Sequence, residues 1–446
     1  MTPSELYLPG DRKRGRFMRM DAASILKRFY FLERALIISQ SAWLPAIARF
    51  GVKTTLPRFT WQNAMTADAL RNRVFELRYP NRLMEVNRDA PLVDLYSESI
   101  NAPNAAAFIL SLARVYKPAL LDGYRAYLEQ ADELADGPTI RFLRISAGER
   151  QEQIQILEGF AQKMLEAAPD EQAVAEKWVA ALAERLAQTG GVRLEAPQAG
   201  EYATDLPGRT PFALAQVAAR DPRFHLCRYY WPDIVVEDYP YGSGLKLQLR
   251  SAISHVNEAW AVETGGAILY AFAGQLGWAF IYDAARWTYD EARHTRMGYE
   301  RLRQWGFEPG EIPLGSYIYD SAAGQDEIYR LGMLHYFETK NIGKKTGRAR
   351  EFASYEDKVS QHDMDFDWAD ETIHAHYGRR WHEALREMYP ERIPPVDDVH
   401  RRCDELVADE VARASEADRE DIVRVAEAMI EKAARIAQSS GEEKVW

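Results

Sequence analysis

Hydrophobic residues recur along most of the chain at spacings of three and four, which is the pattern of amphipathic helices. In the first part of the chain, this pattern predicts helices at about 21–49, 61–78, 103–131 and 138–166. A second set of helices is predicted at about 248–273, 278–305, 321–349 and 358–388. Outside one segment, we find no sustained alternation of single apolar and polar residues, which would indicate strands. The pattern therefore predicts an all-α fold.

Breaks in the helical pattern divide the chain into four predicted segments. Residues 1–168 form a helical domain, and residues 169–247 form one helix followed by an irregular connector rich in proline and aromatic residues. The second helical set occupies residues 248–390, and residues 391–446 form a C-terminal tail of amphipathic helices. Because residues 225–245 of the connector contain many aromatic side chains, we expect them to form the wall or lid of a cavity.

One apolar stretch, from Thr264 to Tyr282, carries no charged residue and is long enough to raise the question of a membrane span. Gly274 and Gly277 lie in its middle, where two glycines so close together favour a turn. We interpret the stretch as two buried helix halves joined by a tight turn, and we expect no membrane association.

Composition narrows the class of protein further. The chain is 47% hydrophobic and 28% charged, as in soluble globular proteins. Its net charge of −11 argues against nucleic-acid binding, which requires a basic surface. Only two cysteines occur, and no signal peptide is apparent, so we expect a reducing compartment and a cytoplasmic protein.

A short motif occurs twice in the second helical set. Residues 290–294 read Asp-Glu-Ala-Arg-His, and residues 370–374 read Asp-Glu-Thr-Ile-His. Residues three apart lie on one face of a helix, so Glu291 with His294, and Glu371 with His374, can each hold one metal ion. One such pair is expected by chance in a chain of this composition, whereas two matched pairs predict a metal site.

A four-helix site for two metal ions needs a further carboxylate from each of two other helices. Glu338 lies 33 residues before Glu371, which is the separation that a helical hairpin brings to one level. For the first motif, Glu263 and Glu258 are both available, 28 and 33 residues before Glu291. We prefer Glu263, because its helical stripe is the more apolar, and keep Glu258 as an alternative ligand.

Four further residues are predicted at or beside the site. Asp290 and Asp370 directly precede the ligand glutamates, and we expect each to accept a hydrogen bond from the outer nitrogen of a ligand histidine. Tyr270 lies two turns beyond Glu263 on the same stripe and is expected beside the metals. His335, three residues before Glu338, is an alternative ligand, with a core histidine as the competing interpretation.

With these residues in place, the segment 250–388 resembles the ferritin-like superfamily, which includes ferritins, rubrerythrins and bacterial multicomponent monooxygenases. Residues 290–295 are similar to the second-helix motif of its oxygenase-type members. Residues 370–381 resemble an uncharacterised ferritin-like subgroup more than any named enzyme. The resemblance implies a four-helix bundle with a di-iron centre, and it supplies no substrate. A mixed Mn/Fe centre stays open, because the same ligands accept both metals.

The first set of helices has a comparable layout without the histidines. Glu33, Asp68-x-x-Arg71, Asp122 and Glu149-x-x-Glu152 stand at similar intervals, but no histidine precedes His225. We therefore predict a degenerate ferritin-like bundle that binds no metal, with an unrelated helical domain as the alternative.

Together these expectations describe a non-haem di-iron oxidase or oxygenase that uses O₂ as co-substrate on a small organic molecule. Two alternatives belong to other classes: a ferroxidase or other metal-handling protein, and a non-enzymatic helical scaffold with a vestigial or structural metal site. The sequence leaves an electron-donor protein and a homodimer open as partners.

Overall fold

The computed structural model describes residues 14–200, 202 and 205–439, and the regular structure of this part of the chain is almost entirely helical. In the first half, the α-helices are α1 (Arg19–Ala42), α2 (Phe50–Glu76), α3 (Ala90–Ser97), α4 (Ala105–Ser111), α5 (Lys117–Gln130), α6 (Gly137–Ala167) and α7 (Gln172–Gln188). In the second half, they are α8 (Leu245–Asn257), α9 (Ala259–Gln304), α10 (Tyr317–Ser321), α11 (Ile328–Ser354), α12 (Lys358–Met388), α13 (Val396–Ala412) and α14 (Glu416–Ser439). Two short parallel strands, β1 (His225–Leu226) and β2 (Pro313–Leu314), pair with each other. The predicted all-α class is confirmed.

The contacts within the chain define two compact units. Unit 1 contains Met1–Ser39 and Gln62–Phe212, and unit 2 contains Gln40–Trp61 and Ala213–Trp446. The predicted domains differ from these units, because residues 40–61 belong to unit 2, and α7 with part of the connector belongs to unit 1. A hydrophobic stripe shows that one face of a helix is buried, but it does not show which other elements bury that face. The sequence therefore could not assign these segments to a unit.

In the core of unit 1, α6 contacts α4 and α5, and α7 contacts α4. Helix α1 packs on α5, where the Phe29 ring meets the Tyr124 ring edge to face. The predicted helix 103–131 contains Pro118, for which a kink or break was expected. In the structure, α4 and α5 are joined by a turn of π-helix at Leu112–Tyr116, which ends two residues before this proline. Proline cannot donate the backbone hydrogen bond of an α-helix, and a wider turn accommodates its ring.

In unit 2, α9 consists of two arms that meet at Gly277. This glycine has φ 74° and ψ −159°, so the helical path breaks there and the chain reverses. Gly265 on the first arm lies so close to Thr288 on the second that a Cβ atom would fall 2.5 Å from the Thr288 hydroxyl. The predicted pair of buried helix halves around a tight turn is therefore confirmed. Among the described residues, no helix is long and apolar enough to cross a membrane.

The remaining helices of unit 2 complete the surroundings of the site. Helix α8 packs on α9, and α11 and α12 pack on each other and on α9. The two arms of α9, together with α11 and α12, are thus four helical segments around one core. Helix α13 contacts α11, and α14 contacts α8. The two amphipathic tail helices thus pack within unit 2, where apolar residues such as Cys403 and Met429 are buried.

Candidate metal centre

Six side chains that can bind a metal come together in the core of unit 2. They are, in chain order, Glu258, Glu291, His294, Glu338, Glu371 and His374. Glu258 stands at the junction of α8 and α9, and the second arm of α9 supplies the next two. Helix α11 supplies one glutamate, and α12 supplies the last pair. Four helical segments therefore contribute to the cluster. Five of the six side chains are buried, and Glu258 is half-buried.

The six side chains form two overlapping groups, and a third group joins His294 and Glu371 to Asp367. In the first, one ligand atom each of Glu291, Glu338, Glu371 and His374 lie within 4.8 Å of one another. In the second, atoms of Glu258, Glu291 and His294 do so. Glu291 belongs to both groups, so its carboxylate lies between two positions at which a cation can bind. The two Glu-x-x-His motifs therefore face each other, as the sequence predicts.

Distances within the groups are those of neighbouring ligands around an ion. Nδ1 of His374 lies 3.0 Å from Oε1 of Glu291 and 3.5 Å from Oε2 of Glu338. Nδ1 of His294 lies 3.5 Å from Oε2 of Glu258. Ligands bonded at about 2.1 Å and at right angles stand about 3 Å apart. Small adjustments of these side chains would therefore complete the coordination of two metal ions.

Buried polar atoms normally have hydrogen-bond partners, because an unsatisfied one costs about 1–3 kcal/mol. Each of the six side chains nevertheless has one buried atom without such a partner among the described residues. These atoms are Oε2 of Glu258, Oε1 of Glu291, Nδ1 of His294, Oε1 of Glu338, Oε2 of Glu371 and Nδ1 of His374. Six unsatisfied polar atoms in one cluster are explained if they are metal ligands.

The aspartates that precede the two glutamates hydrogen-bond to the histidines in a crosswise manner. Nε2 of His294 lies 3.2 Å from Oδ2 of Asp370, and Nε2 of His374 lies 3.4 Å from Oδ2 of Asp290. A carboxylate can only accept, so Nε2 of each ring carries the proton and Nδ1 is left free for a metal. Each motif thus orients the histidine of the other motif, which the sequence alone does not show.

Two arginines on the second arm of α9 hold these aspartates in place. Nε of Arg286 donates to both oxygens of Asp290, at 2.9 and 2.7 Å. Arg293 donates to Asp290 and, at 2.7 Å, to Oδ2 of Asp370. Because Arg293 bridges the two aspartates, it ties α9 to α12 at the level of the histidines.

The structure corrects the preferred ligand Glu263. This residue is fully buried, but its carboxylate forms ion pairs with Lys53 and Arg220. Burial lowers the pKa of Lys53 to about 8, although the charge of Glu263 opposes this shift. Glu258, the alternative, is the glutamate that joins the cluster. The apolar surroundings of Glu263 therefore reflect a buried ion pair, whose cations come from distant parts of the sequence.

Two further expectations are also not met. Tyr270 was placed beside the site through its spacing from Glu263, but it lies twelve residues beyond Glu258, which is about 18 Å along a helix. His335, the alternative ligand, contacts His400 instead, with 3.3 Å between Nδ1 of His335 and Nε2 of His400. His335 is thus a histidine beside α13, outside the groups that can hold a metal.

Three residues beside the ligands were not assigned from the sequence. Asp367 is fully buried, and its Oδ1 lies 3.5 Å from Nδ1 of His294. The Lys345 ammonium lies 2.6 Å from this same oxygen and 2.7 Å from Oε1 of Glu371. His255 lies 3.1 Å from the other oxygen of Asp367. For Asp367, the sequence offers one signal: it lies one helical turn before Glu371 and so on the same face of the helix.

Burial and charge set the protonation of the cluster. Burial raises the pKa of Glu338 well above its usual range, and the charges of Glu291 and Glu371 raise it further. Burial alone would lower the pKa of His294 and His374, but contacts with the surrounding carboxylates outweigh it and raise both pKa values. The metal-free cluster therefore carries protons, and a metal ion that binds must displace them.

A cavity of about 320 Å³ reaches the cluster from outside. Four of the clustered glutamates line it, together with aromatic side chains of several elements. Tyr230 and Tyr241 of the connector are among these lining residues, so the expected contribution of residues 225–245 to a cavity wall is confirmed. The size is at the lower end of small-molecule sites.

The corresponding glutamate on α1 of unit 1 takes part in a buried ion pair. Glu33 is buried and pairs with Arg150, and the Tyr124 hydroxyl donates a 2.5 Å hydrogen bond to Glu33. Asp122 and Glu152 are exposed. Among the described residues, groups able to hold a metal are found in unit 2 alone. The charge of Glu33 is balanced by an arginine, and duplication of the bundle stays a prediction.

Fold and site together define a helical protein with a buried cluster of four glutamates and two histidines. A family model described as a protein of unknown function (DUF455) matches residues 240–419. This match covers less than half of the chain, but it contains all six clustered side chains. No curated protein and no solved structure matches the chain.

Proposed function

We propose that the four helical segments of unit 2 form a ferritin-like bundle that holds two iron ions and uses O₂ to oxidise or oxygenate a small organic molecule. One observation carries this proposal: six buried ligand atoms from two Glu-x-x-His motifs and two further glutamates face one another without hydrogen-bond partners. A purely structural cluster of acids and histidines would be expected to satisfy these atoms internally.

The two overlapping groups suggest how the ligands divide. Glu258 and His294 would hold one ion, and Glu338 with His374 would hold the other. Glu291 belongs to both of these groups, and Glu371 belongs to the first and to a third group with His294 and Asp367, so each of these two carboxylates would help to hold both ions. Four carboxylates balance the charge of two divalent cations, and imidazole with carboxylate suits iron and manganese. A mixed Mn/Fe centre satisfies the same geometry.

When bound, the two ions would supply the redox chemistry that activates O₂. The chain's own residues do the rest. Asp290 and Asp370 fix the tautomer and orientation of the ligand histidines. Lys345 holds an ammonium group beside Glu371, where it can donate a proton or a hydrogen bond to a molecule in the cavity.

The cavity favours an enzyme over a metal-storage protein. It brings space for an organic molecule directly to four of the proposed ligands. Its lining includes Trp260, Tyr317 and Phe337, which provide apolar contact area. A site that only oxidises and passes on iron needs an entry path for ions, and an aromatic wall gives such a path no advantage. The electron donor and the oligomeric state remain predictions.

The test is anaerobic loading with Fe(II), metal analysis, and measurement of O₂ consumption on exposure to air. We expect about two irons per chain and O₂ uptake that depends on them. His374→Ala should lower the iron content, whereas His376→Ala, an exposed residue on the same helix, should not. A protein that ignores Fe(II), or variants with equal iron content, would refute the proposal. Iron that oxidises and then accumulates beyond two per chain would favour the ferroxidase alternative.

A further inference from the structure

The lining of the cavity changes character between its inner and outer parts. The inner part contains the carboxylates of Glu258, Glu291, Glu338 and Glu371. These glutamates are the proposed metal ligands, and two divalent cations would neutralise them. The metal-loaded inner surface is therefore close to electrically neutral, and the remaining charges of the wall decide what the cavity attracts.

All other charged residues that line the cavity are basic: Arg250, Lys344, Lys345 and Arg348. Two of them already have acidic partners. Arg250 pairs with Asp233 at 3.0 Å, and Lys345 pairs with Asp367 and Glu371. These three ion pairs account for only part of the positive charge of the wall.

The other two basic residues have no acidic partner. Lys344 is exposed and contacts the Asn341 side chain at 3.4 Å, and Arg348 is half-buried with its guanidinium over the Tyr241 ring at 5.0 Å. Among the described residues, neither forms an ion pair with a carboxylate. Charged groups without counterions beside a cavity indicate an anionic ligand, because such a ligand would supply the missing charge.

Arg250 provides a second, independent indication. The residue is only 8% exposed, and its Nη1 atom is buried without a hydrogen-bond partner in the described part of the chain. Its guanidinium lies 5.3 Å from the centre of the Tyr241 ring, which Arg348 also contacts. Two guanidinium groups thus contact one aromatic ring at the cavity wall, and the guanidinium of Arg250 has one N–H donor without a hydrogen-bond partner among the described residues.

The neutral part of the wall is largely aromatic. Tyr230, Tyr241, Trp260, Tyr317 and Phe337 all line the cavity. Aromatic walls favour flat ligands, which stack on them or meet their edges. The volume of about 320 Å³ limits such a ligand to a small molecule of one or two rings.

We propose that the cavity binds a small aromatic acid, with its carboxylate or phosphate at Arg348, Lys344 and the free donor of Arg250. The ring would then extend along the aromatic wall towards the glutamate cluster. This inference rests on the proposed function, because it assigns the substrate class of the same di-iron site. Lys345 lies deeper, between the acid-binding wall and the cluster, where it would face the body of the ligand.

The experiment measures calorimetric binding of matched pairs to Fe(II)-loaded protein under argon, where no turnover occurs. The pairs are benzoate with benzamide, indole-3-acetate with indole-3-acetamide, and phenyl phosphate with phenol. We expect the acid of at least one pair to bind at least ten-fold more tightly than its neutral partner. The carboxylate and phosphate pairs show which acid group the site prefers.

The matched variants test where the acid binds. Lys344→Gln with Arg348→Gln should reduce binding of the preferred acid at least ten-fold and leave the neutral partner unaffected. The control, Arg350→Gln with Lys358→Gln, changes the net charge equally at exposed positions outside the cavity and should bind as the unchanged protein does. A carboxylate bound only to the metal ions would survive the first pair of substitutions.

The outcomes separate the two proposals. Iron-loaded protein that binds no member of the panel, or binds neutral and acidic partners equally, overturns the substrate class and leaves the di-iron proposal standing. Acid binding that persists in the Lys344/Arg348 variant also overturns the substrate class. An iron content below one per chain overturns both proposals.

Discussion

Exchange of Glu258 or Glu263 for glutamine distinguishes the candidate metal site from the buried ion pair beside it. Both residues lie on the same helical hairpin, five positions apart, and both substitutions keep the size of the side chain. Glu258 belongs to the group with Glu291 and His294, whereas Glu263 contacts Lys53 and Arg220. We therefore expect the first variant to lose iron and the second to lose stability.

The structure sets the size of each effect. Glu258→Gln removes one of three ligands from one group and leaves the other group complete, so iron content should fall from about two to about one per chain. Asp367 belongs to a candidate group with His294 and Glu371, but Lys345 and His255 contact its two oxygens, so we expect it not to replace Glu258. Glu263→Gln should retain both irons but lose about 3–5 kcal/mol of stability, since two buried cations lose their counterion.

Metal analysis after anaerobic loading and chemical denaturation of the metal-free protein read out the two effects separately. Circular dichroism of each variant shows whether the helices remain. A Glu258→Gln variant that still holds two irons, or a Glu263→Gln variant whose iron content falls to one without a change in stability, would contradict these assignments.

Three further predictions follow from the surroundings of the site. Asp370→Asn should weaken metal affinity about 10- to 100-fold, because the orientation of His294 is lost, whereas Asp365→Asn at an exposed position of the same helix should not; a metal competition assay compares them. Lys345→Met should lower the denaturation midpoint of metal-free protein more than that of iron-loaded protein, and equal shifts would count against the ion pair. Burial raises the pKa of Cys227 and Cys403 to about 12, so both thiols stay protonated at pH 8. Alkylation by iodoacetamide, followed by mass spectrometry, should therefore be about a thousandfold slower in the folded protein than in urea, and it should accelerate as the pH rises towards 12.

Sequence reasoning succeeded where the relevant interactions are local. The Glu-x-x-His pairs are set by the helix repeat, and the Gly277 turn is set by a residue that tolerates positive φ. Both therefore could be predicted without knowledge of the fold. Glu338 was found through the length of a helical hairpin, which is nearly as local.

The choice between Glu258 and Glu263 depended on contacts that are far apart in sequence. Lys53 lies 210 residues before Glu263, and no periodicity reveals that the two meet. The predicted helix also ran through Glu258 without interruption, whereas the structure ends α8 at Asn257 and begins α9 at Ala259, with Glu258 at ψ 1°. Apolarity of a helical stripe indicates burial, but it does not distinguish a metal ligand from an ion-paired acid.

The position of Lys345 bears on the order of folding and metal binding. Its ammonium already lies against Asp367 and Glu371, so part of the negative charge of the core is balanced before any metal arrives. Under the proposed function, unit 2 would therefore fold before iron binds, unlike small metal-binding domains that fold only around their ion. Iron binding would then be an exchange of cations within a folded unit, and its rate would depend on how readily Lys345 and the bound protons are displaced.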